Sequence, residues 1–522
     1  MDRSTVSDST VSEPETRIAA LTSWDADWAG LRVVVTGISK TGFSVADTLA
    51  ELGAHVVVVA ASNDAEALAN ADTLKIVGVR DVILGAETST VLPLVDGERA
   101  DLVVTSPGFK PSHPLLAAAA GEGIPIWGDV ELAWRVRVKE GRKTAEWITI
   151  TGTNGKTTTT TMVESMLQGA GLRAIAAGNI GTPILDAVRD PEGYDVLAVE
   201  LSTFQLHWSE SLEPVSSVCL NLAVDHVDWH GSFEAYAADK ARIYANTKIA
   251  CVYNAEQIET ERMVQEADVK EGCRAVGFTT GIPAISMVGV VEGLLVDRAF
   301  IAERKDSASE LAALSDIGDL VPRHLVANAA AAAALVLAYG LTPADVRKGL
   351  VDYHNGDHRI QPVASAGGVL WVNDSKATNP HAASASLSSF NPVIWIAGGL
   401  PKGVVFDDLV REHAQRLKAV VLIGADSSAL AGSLERIAPQ VPVHVTRSEG
   451  GRHADAGTLR GDAVMAEAVA IAASLAANGD TVLMAPASAS MDQFTSYAHR
   501  GQAFIDAVRE LQESQASADK ES

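Results

Sequence analysis

The chain has 522 residues, of which 47% are hydrophobic and 20% charged, with a formal net charge of −25. Such a length exceeds what one core holds and predicts several domains, the composition excludes wholesale disorder, and the acidity excludes a nucleic-acid binder, which needs basic patches to displace counterions. Its three cysteines, Cys219, Cys251 and Cys273, lack C-x-x-C spacing and predict neither a disulfide framework nor a zinc site, as suits a reducing compartment.

Residues 1–22 are rich in Ser, Thr, Asp and Glu, lack the apolar core of a signal peptide, and are expected to form a disordered tail. The first domain is expected over 23–140. Leu31–Thr36 reads as a strand, Gly37–Gly42 as a turn, Phe43–Leu52 as a helix and His55–Val59 as a second strand, a βαβ unit of nucleotide-binding type. A dinucleotide is disfavoured, because Ser39 replaces the middle glycine of G-x-G-x-x-G and Ala60-Ala61-Ser62 supplies no acid for a ribose. Asp101–Thr105 is another strand, closed by the turn Ser106-Pro107-Gly108. Ligands of open α/β sheets sit at the carboxyl ends of strands, so both turns are expected to line one pocket.

The second domain, 141–354, opens with the apolar strand Trp147–Ile150, the turn Thr151-Gly152-Thr153-Asn154-Gly155-Lys156-Thr157-Thr158 and a helix from Thr159 to Leu167. A strand feeding a glycine turn that opens a helix is a phosphate cradle: backbone N–H groups approach a polyphosphate, Lys156 reaches the β/γ-phosphates and Thr157 offers a hydroxyl to Mg²⁺. Ile150 stands where the full pattern demands its first glycine, so this is a variant, G-x-x-G-K-T. The strand Tyr194–Val199 ends in Glu200, and Ser217–Leu222 leads to Asp225-His226; these strand ends should deliver their side chains to one sheet edge beside the cradle. Ser232 is placed to cap a helix from Phe233 to Tyr244 that carries Lys240. The run Leu325–Leu341 is mostly alanine and contains Asn328, which predicts a buried helix and no membrane span.

The third domain is expected over 355–511. Its strands are Val369–Asn373, Pro392–Ala397, Ala419–Ile423 and Thr481–Met484, alternating with helices as in a parallel sheet, and each ends in small or polar residues. Residues 512–522 read as a second disordered tail.

The stretches 151–158, Glu200-Leu-Ser-Thr-Phe-Gln-Leu206, Asp225-His-Val-Asp228, Asn373-Asp-Ser-Lys-Ala-Thr-Asn379 and Ser490-Met-Asp-Gln-Phe494, in this order, resemble the Mur ligase family. The resemblance implies an α/β protein of three domains: an N-terminal Rossmann-like UDP-binding domain, a central P-loop-type ATPase sheet and a C-terminal Rossmann-like domain. It implies a cytoplasmic, monomeric ligase of peptidoglycan precursor synthesis that binds no nucleic acid or membrane. Its substrates would be ATP, UDP-MurNAc-L-Ala and D-glutamate, joined through an acyl phosphate with Mg²⁺, two ions being expected. Gly152, Thr153, Asn154, Gly155, Lys156, Thr157 and Thr158 would hold phosphates, with Asn328, Arg359 and Asp374 as further ATP contacts. Thr157, Glu200, His226 and Lys240, the last carbamylated, would serve the metals. Lys40, Thr41, Ser106, Pro107, Gly108 and Asn179 match the UDP-substrate site, and Lys376, Thr378, Lys402, Ser490 and Tyr497 the D-glutamate pocket. Departures are Leu325, where the family often carries Asn, and Lys40 and Ala60. The alternatives are a sibling ligase adding a different amino acid and a nucleotide-gated binding protein that does no chemistry.

Overall fold

A computed structural model describes residues 13–318, 321–354, 356–400, 404–446 and 461–521. It divides into two compact units, Met1–Val321 with Leu325–Tyr353, and Pro322–His324 with His354–Ser522.

The first unit holds two sheets. The N-terminal one has five parallel strands, β1 (Arg32–Thr36), β2 (His55–Ala60), β3 (Asp81–Leu84), β4 (Leu102–Thr105) and β5 (Ile126–Gly128), in the order β3-β2-β1-β4-β5. Val33, Val34 and Val35 are all fully buried, so both faces of β1 are covered and the strand reads as a continuous valine run. The order reverses between β1 and β4, and such a switch point opens a crevice at the carboxyl ends.

The second sheet has nine strands: β6 (Glu146–Thr151), β7 (Ala174–Gly178), β8 (Val196–Glu200), β9 (Ser216–Cys219), β10 (Ala250–Asn254), β11 (Arg274–Phe278), β12 (Met287–Val291), β13 (Leu294–Asp297) and β14 (Ser309–Ala313). Their order is β14-β13-β12-β11-β10-β9-β6-β8-β7, parallel except for the two antiparallel pairings that join β12, β13 and β14. The alanine run forms the helix Arg323–Tyr339, in which Ala329 through Val336 are fully buried. Among the described residues no helix is long and apolar enough to cross a membrane. Beside it the helix Pro343–Val351 crosses the helix Lys156–Gly169 closely, since a Cβ at Gly349 would stand 2.2 Å from Met166 Cα. Within this unit the two sheets are tied by Arg189, which bonds Asp47 and Glu51, each at 2.6 Å, and by Ser44, which donates to Asp186 at 2.5 Å.

Among its described residues the second unit carries six strands, β15 (Gln361–Ala366), β16 (Val369–Asn373), β17 (Val393–Gly398), β18 (Leu417–Ile423), β19 (Val443–Val445) and β20 (Thr481–Met484), in the order β15-β16-β20-β17-β18-β19. Only β15 runs antiparallel to its neighbour.

Both expected tails need correction where they are described. Residues 13–20 form a helix, Ile18 and Leu21 are buried, and Arg17 donates to the carbonyls of Asp27 and Ala29 at 3.0 and 2.7 Å. Two apolar anchors and one guanidinium clamp outweigh the polar composition that suggested disorder. At the other end the helix Tyr497–Glu521 runs through the supposed tail, whose Glu, Gln, Ala and Lys are good helix formers continuing a segment anchored by Phe504 and Val508. Residues 1–12 lie outside the described residues.

Candidate active site

The centre of the first unit is the carboxyl edge of β6, which lies between β8 and β9. Ile150 registers with Glu200 and Thr151 with Cys219, so the turn after β6, the end of β8 and the loop after β9 emerge side by side. The cradle has the form its sequence requires. Gly155 ends the turn with φ of +83° and no room for a side chain, because a Cβ there would meet Asn328 Oδ1 at 2.5 Å. Asn328, expected as a nucleoside contact, therefore stands against the cradle, from a buried position on the alanine helix. Lys156 opens the following helix and donates to the carbonyls of Gly152 and Thr153 at 2.8 and 3.0 Å. Thr157 is half-buried in the same first turn, where helix N–H groups favour anionic oxygen.

What fixes the cradle was not apparent from sequence. Asn221, just past β9, accepts from the Asn154 N–H at 2.9 Å and donates to the Asn154 carbonyl at 3.0 Å, while its own carbonyl accepts from Thr153 N–H at 3.0 Å. The Thr153 hydroxyl lies 2.9 Å from the Tyr236 hydroxyl and accepts from Ala223 N–H at 3.0 Å. A signal existed only in that an asparagine sits at a strand end, too common a feature to single out.

Glu200 is buried at 2% exposure; its Oε1 accepts from Asn179 Nδ2 at 2.8 Å, and among the described residues nothing bonds its Oε2. An ionised oxygen buried without a donor is costly, and a cation would relieve it. Asn179, expected at the UDP-substrate site, thus stands against Glu200. His226 adopts φ of +49°, packs edge-on against Phe204 at 4.8 Å and is about half exposed beside Asp225 at 3.6 Å; partial desolvation outweighs Asp225 and lowers its pKa, which favours the neutral ring that can offer a lone pair. Lys240 is buried at 2% exposure, 4.7 Å from the centroid of the Tyr236 ring. Burial, reinforced by the charge of Lys156, pushes its pKa down to about 7. Ser232 caps its helix, accepting from Ala235 N–H at 3.1 Å. The neighbouring Asp239 was also missed: its carboxylate bonds His207 at 2.9 Å and His230 at 3.0 Å, pinning the helix to the segment after Glu200.

At the switch point of the N-terminal sheet lies a cavity of about 670 Å³ whose lining includes Thr41, Ser106, Pro107 and Gly108, together with Lys110 and His113, which sequence reasoning missed. Lys40 opens the adjacent helix but is not part of that lining. Ser106 donates to the Thr36 carbonyl at 2.6 Å, clipping the end of β4 to that of β1. Lys110 donates to the Asp228 carbonyl at 2.7 Å, so the cavity wall is bonded to the segment that carries His226.

In the second unit the loops after β16, β20 and β17 leave adjacent strands. Asp374 is buried; it accepts from Ser386 Oγ and from Ile360 N–H, the latter at 3.3 Å, and burial raises its pKa to about 6. Arg359 lies close enough to favour its ionised form. Lys376 Nζ stands 3.8 Å from the centroid of the Tyr497 ring, which joins two residues expected in one pocket. Thr378 follows on the same half-buried turn, and Ser490 is buried at the end of the loop after β20. Arg500, fully buried, was not anticipated: it donates to the Ser375 hydroxyl and carbonyl and to the Ser488 carbonyl at 3.0–3.1 Å, lacing these loops together. Lys402 lies outside the described residues.

Three family models match the chain in succession: Mur ligase MurD-like, N-terminal domain, over residues 31–128; Mur ligase middle domain, over 150–336; and Mur ligase, glutamate ligase domain, over 358–488. The chain is 50% identical over 508 residues to the UDP-N-acetylmuramoylalanine--D-glutamate ligase of Leifsonia xyli subsp. xyli, covering 95% of this chain and 96% of that protein. It is 51% identical over 487 residues to the protein of the same name from Streptomyces coelicolor, covering 93% and 99%. Among solved structures it resembles the MurF ligase from Thermotoga maritima in complex with ADP, with a TM-score of 0.53 at 16% identity, covering 93% of this chain and 96% of that one. That likeness shows the fold.

Proposed function

This chain belongs to the Mur ligase family, and we propose that it joins D-glutamate to UDP-N-acetylmuramoyl-L-alanine while ATP is converted to ADP and phosphate. The observation that carries this reading is the convergence of Lys156, Glu200 and the His226 segment at the carboxyl ends of β6, β8 and β9, in a chain about half identical to ligases named for that reaction.

The carboxylate of the muramoyl-alanine attacks the γ-phosphorus, ADP departs, and the resulting acyl phosphate is attacked by the amine of D-glutamate, which loses a proton as phosphate leaves. Little covalent work falls to side chains; the protein positions three reactants and neutralises phosphate charge. The cradle N–H groups, Lys156 and Thr157 hold the ATP phosphates, Arg359 is a further phosphate contact, and Asn328 and Asp374 are the nucleoside contacts. Thr41, Ser106, Pro107 and Gly108 line the cavity for the uridine diphosphate, with Lys40 and Asn179 as outlying contacts. Lys376, Thr378, Ser490 and Tyr497 surround D-glutamate, with Lys402 as a further cation.

Mg²⁺ fits these residues: the unbonded buried Oε2 of Glu200 would serve as a hard oxygen ligand, and His226, whose pKa is lowered, would offer a ring nitrogen. When bound, the metal would neutralise phosphate charge. Lys240, its pKa lowered to about 7, would react as the free amine with CO₂, forming an N–C bond and releasing one proton, to give a carbamate, an anionic oxygen donor in place of a cation. The protein would act as a cytoplasmic monomer.

The deciding experiment is phosphate release from ATP measured with each substrate omitted in turn. Release that requires both UDP-MurNAc-L-Ala and D-glutamate supports the reading. Release with D-alanine or a diamino acid in place of D-glutamate would assign a sibling activity, and binding without release would make the chain a nucleotide-gated binder.

A further inference from the structure

Cys251 lies in β10, and Cys273 directly precedes β11, where Ala275 is the register partner of Cys251. Both are free thiols, and their Sγ atoms stand 3.8 Å apart. The two differ in access: Cys251 is 1% exposed, while Cys273 is partly exposed to solvent. They differ in chemistry as well. The sulfur–sulfur hydrogen bond pushes the Cys251 thiol up and the Cys273 thiol down, and the backbone N–H groups of Cys251 and Arg274 further favour a thiolate on Cys273. Ser217 holds Cys251 from behind, its hydroxyl 3.9 Å from that sulfur and 2.8 Å from the Thr247 hydroxyl. The third cysteine, Cys219, is fully buried and its thiol is pushed up to about 11, so it does not compete.

We propose that Cys251 and Cys273 form a reversible dithiol–disulfide couple, attacked by a hydroperoxide at Cys273 and closed by Cys251. The Cys273 thiolate attacks the peroxide oxygen, the O–O bond breaks, and a sulfenic acid forms as hydroxide or alkoxide leaves. The Cys251 sulfur then attacks the sulfenic sulfur, the S–O bond breaks, and water leaves with the Cys251 proton; the two electrons from the sulfur pair reduce the peroxide. The final approach to a bond of about 2.05 Å requires a side-chain rotation of Cys273 at the edge of its strand. An accessible thiol of lowered pKa beside a sheltered resolving thiol is the arrangement that keeps a sulfur from advancing to the irreversible sulfinic state. The pair is separated from the cradle strand β6 by β9, so closing the bond staples β10 to β11 and leaves catalysis in place.

The full-length protein is exposed to hydrogen peroxide at a concentration that oxidises free glutathione, alkylated under denaturing conditions and digested with trypsin. The expected result is a linked pair of peptides 249–262 and 271–274, one alkylated thiol at Cys219, and full reversal by dithiothreitol. In Cys251→Ser the sulfenic acid at Cys273 should persist, be captured by dimedone, and go on to sulfinic acid; in Cys273→Ser, Cys251 should stay reduced. Sulfinic acid at Cys273 of the wild type without the cross-link, oxidation starting at Cys251, or two unreacted thiols would each overturn the proposal. The wild-type digest decides even if a variant fails to fold.

Discussion

Asn221 and Asn154 clasp each other across the end of the nine-stranded sheet, the side chain of one bonding both backbone groups of the other at 2.9 and 3.0 Å. Asn221 acts on this loop from the neighbouring strand end without itself being part of it. Each bond is worth about 0.5–1.5 kcal/mol net. Asn221→Ala should therefore raise the KM for ATP by about tenfold or more while leaving the affinity for UDP-MurNAc-L-Ala unchanged. An unchanged KM for ATP would show that the loop holds its form unaided.

Lys156→Ala should abolish turnover, to below about a thousandth of wild type, since the cation proposed to meet the transferring phosphoryl group is lost. Calorimetry should find UDP-MurNAc-L-Ala binding nearly intact, because the cavity proposed for it lies at the ends of β1 and β4 and the cradle at the end of β6. Equal losses of binding and activity would contradict the assignment.

Lys240→Ala should be nearly inactive and regain activity when short-chain carboxylic acids are supplied, because a carboxylate would replace the oxygens of the proposed carbamate. Recovery with alkylamines instead would establish a cationic role for Lys240.

Asp129 accepts from Gln205 Nε2 at 3.1 Å, yet among the described residues nothing bonds its other oxygen, and burial raises its pKa from 3.8 to about 6. The folded state thus holds a proton that the unfolded state releases. This stabilisation is complete below pH 3.8 and is lost as pH rises through about 6, a difference of about 3 kcal/mol. Asp129→Asn has no such proton to lose, so its melting temperature relative to wild type should climb through that window and level off above it. Parallel curves for the two proteins would refute the assignment.

Tyr497→Leu should raise the KM for D-glutamate by about three- to thirtyfold, through loss of the cation–π contact that holds Lys376, and leave the KM for ATP unchanged. A matching rise for ATP would remove Tyr497 from the acceptor pocket.

Much of this arrangement was legible in the sequence, for reasons that particular residues make clear. The cradle is local: strand, glycine turn, Lys156-Thr157 and helix follow one another, so backbone geometry and chemistry are written in one stretch. The alternation of apolar runs with helical segments predicted parallel sheets, and parallel pairing then brought Glu200 and the His226 loop beside the cradle. Contacts made by single side chains over long separations were not legible. Asn221 meets Asn154 from 67 residues away, and Gln205 meets Asp129 from 76. Cys251 and Cys273 lack any redox spacing and become neighbours only because β10 and β11 pair. Composition also misled at both ends of the chain, where a few apolar anchors sufficed to order polar helices.

The alanine run beneath the nine-stranded sheet has the role of a spacer. Ala329 through Ala334 are fully buried, so their methyl groups set how far the helix stands from the sheet, and the same helix carries Asn328 to within contact of Gly155. Substituting valine at any of these positions adds bulk where none fits, which in a packed interior costs about 1–3 kcal/mol or displaces the helix. Displacement would carry Asn328 away from Gly155 and loosen the proposed phosphate cradle from behind. Variation in this helix would then appear in kinetics as altered affinity for the ATP proposed to bind the cradle, and the gauge of that loop would reside in the smallest side chains of the unit.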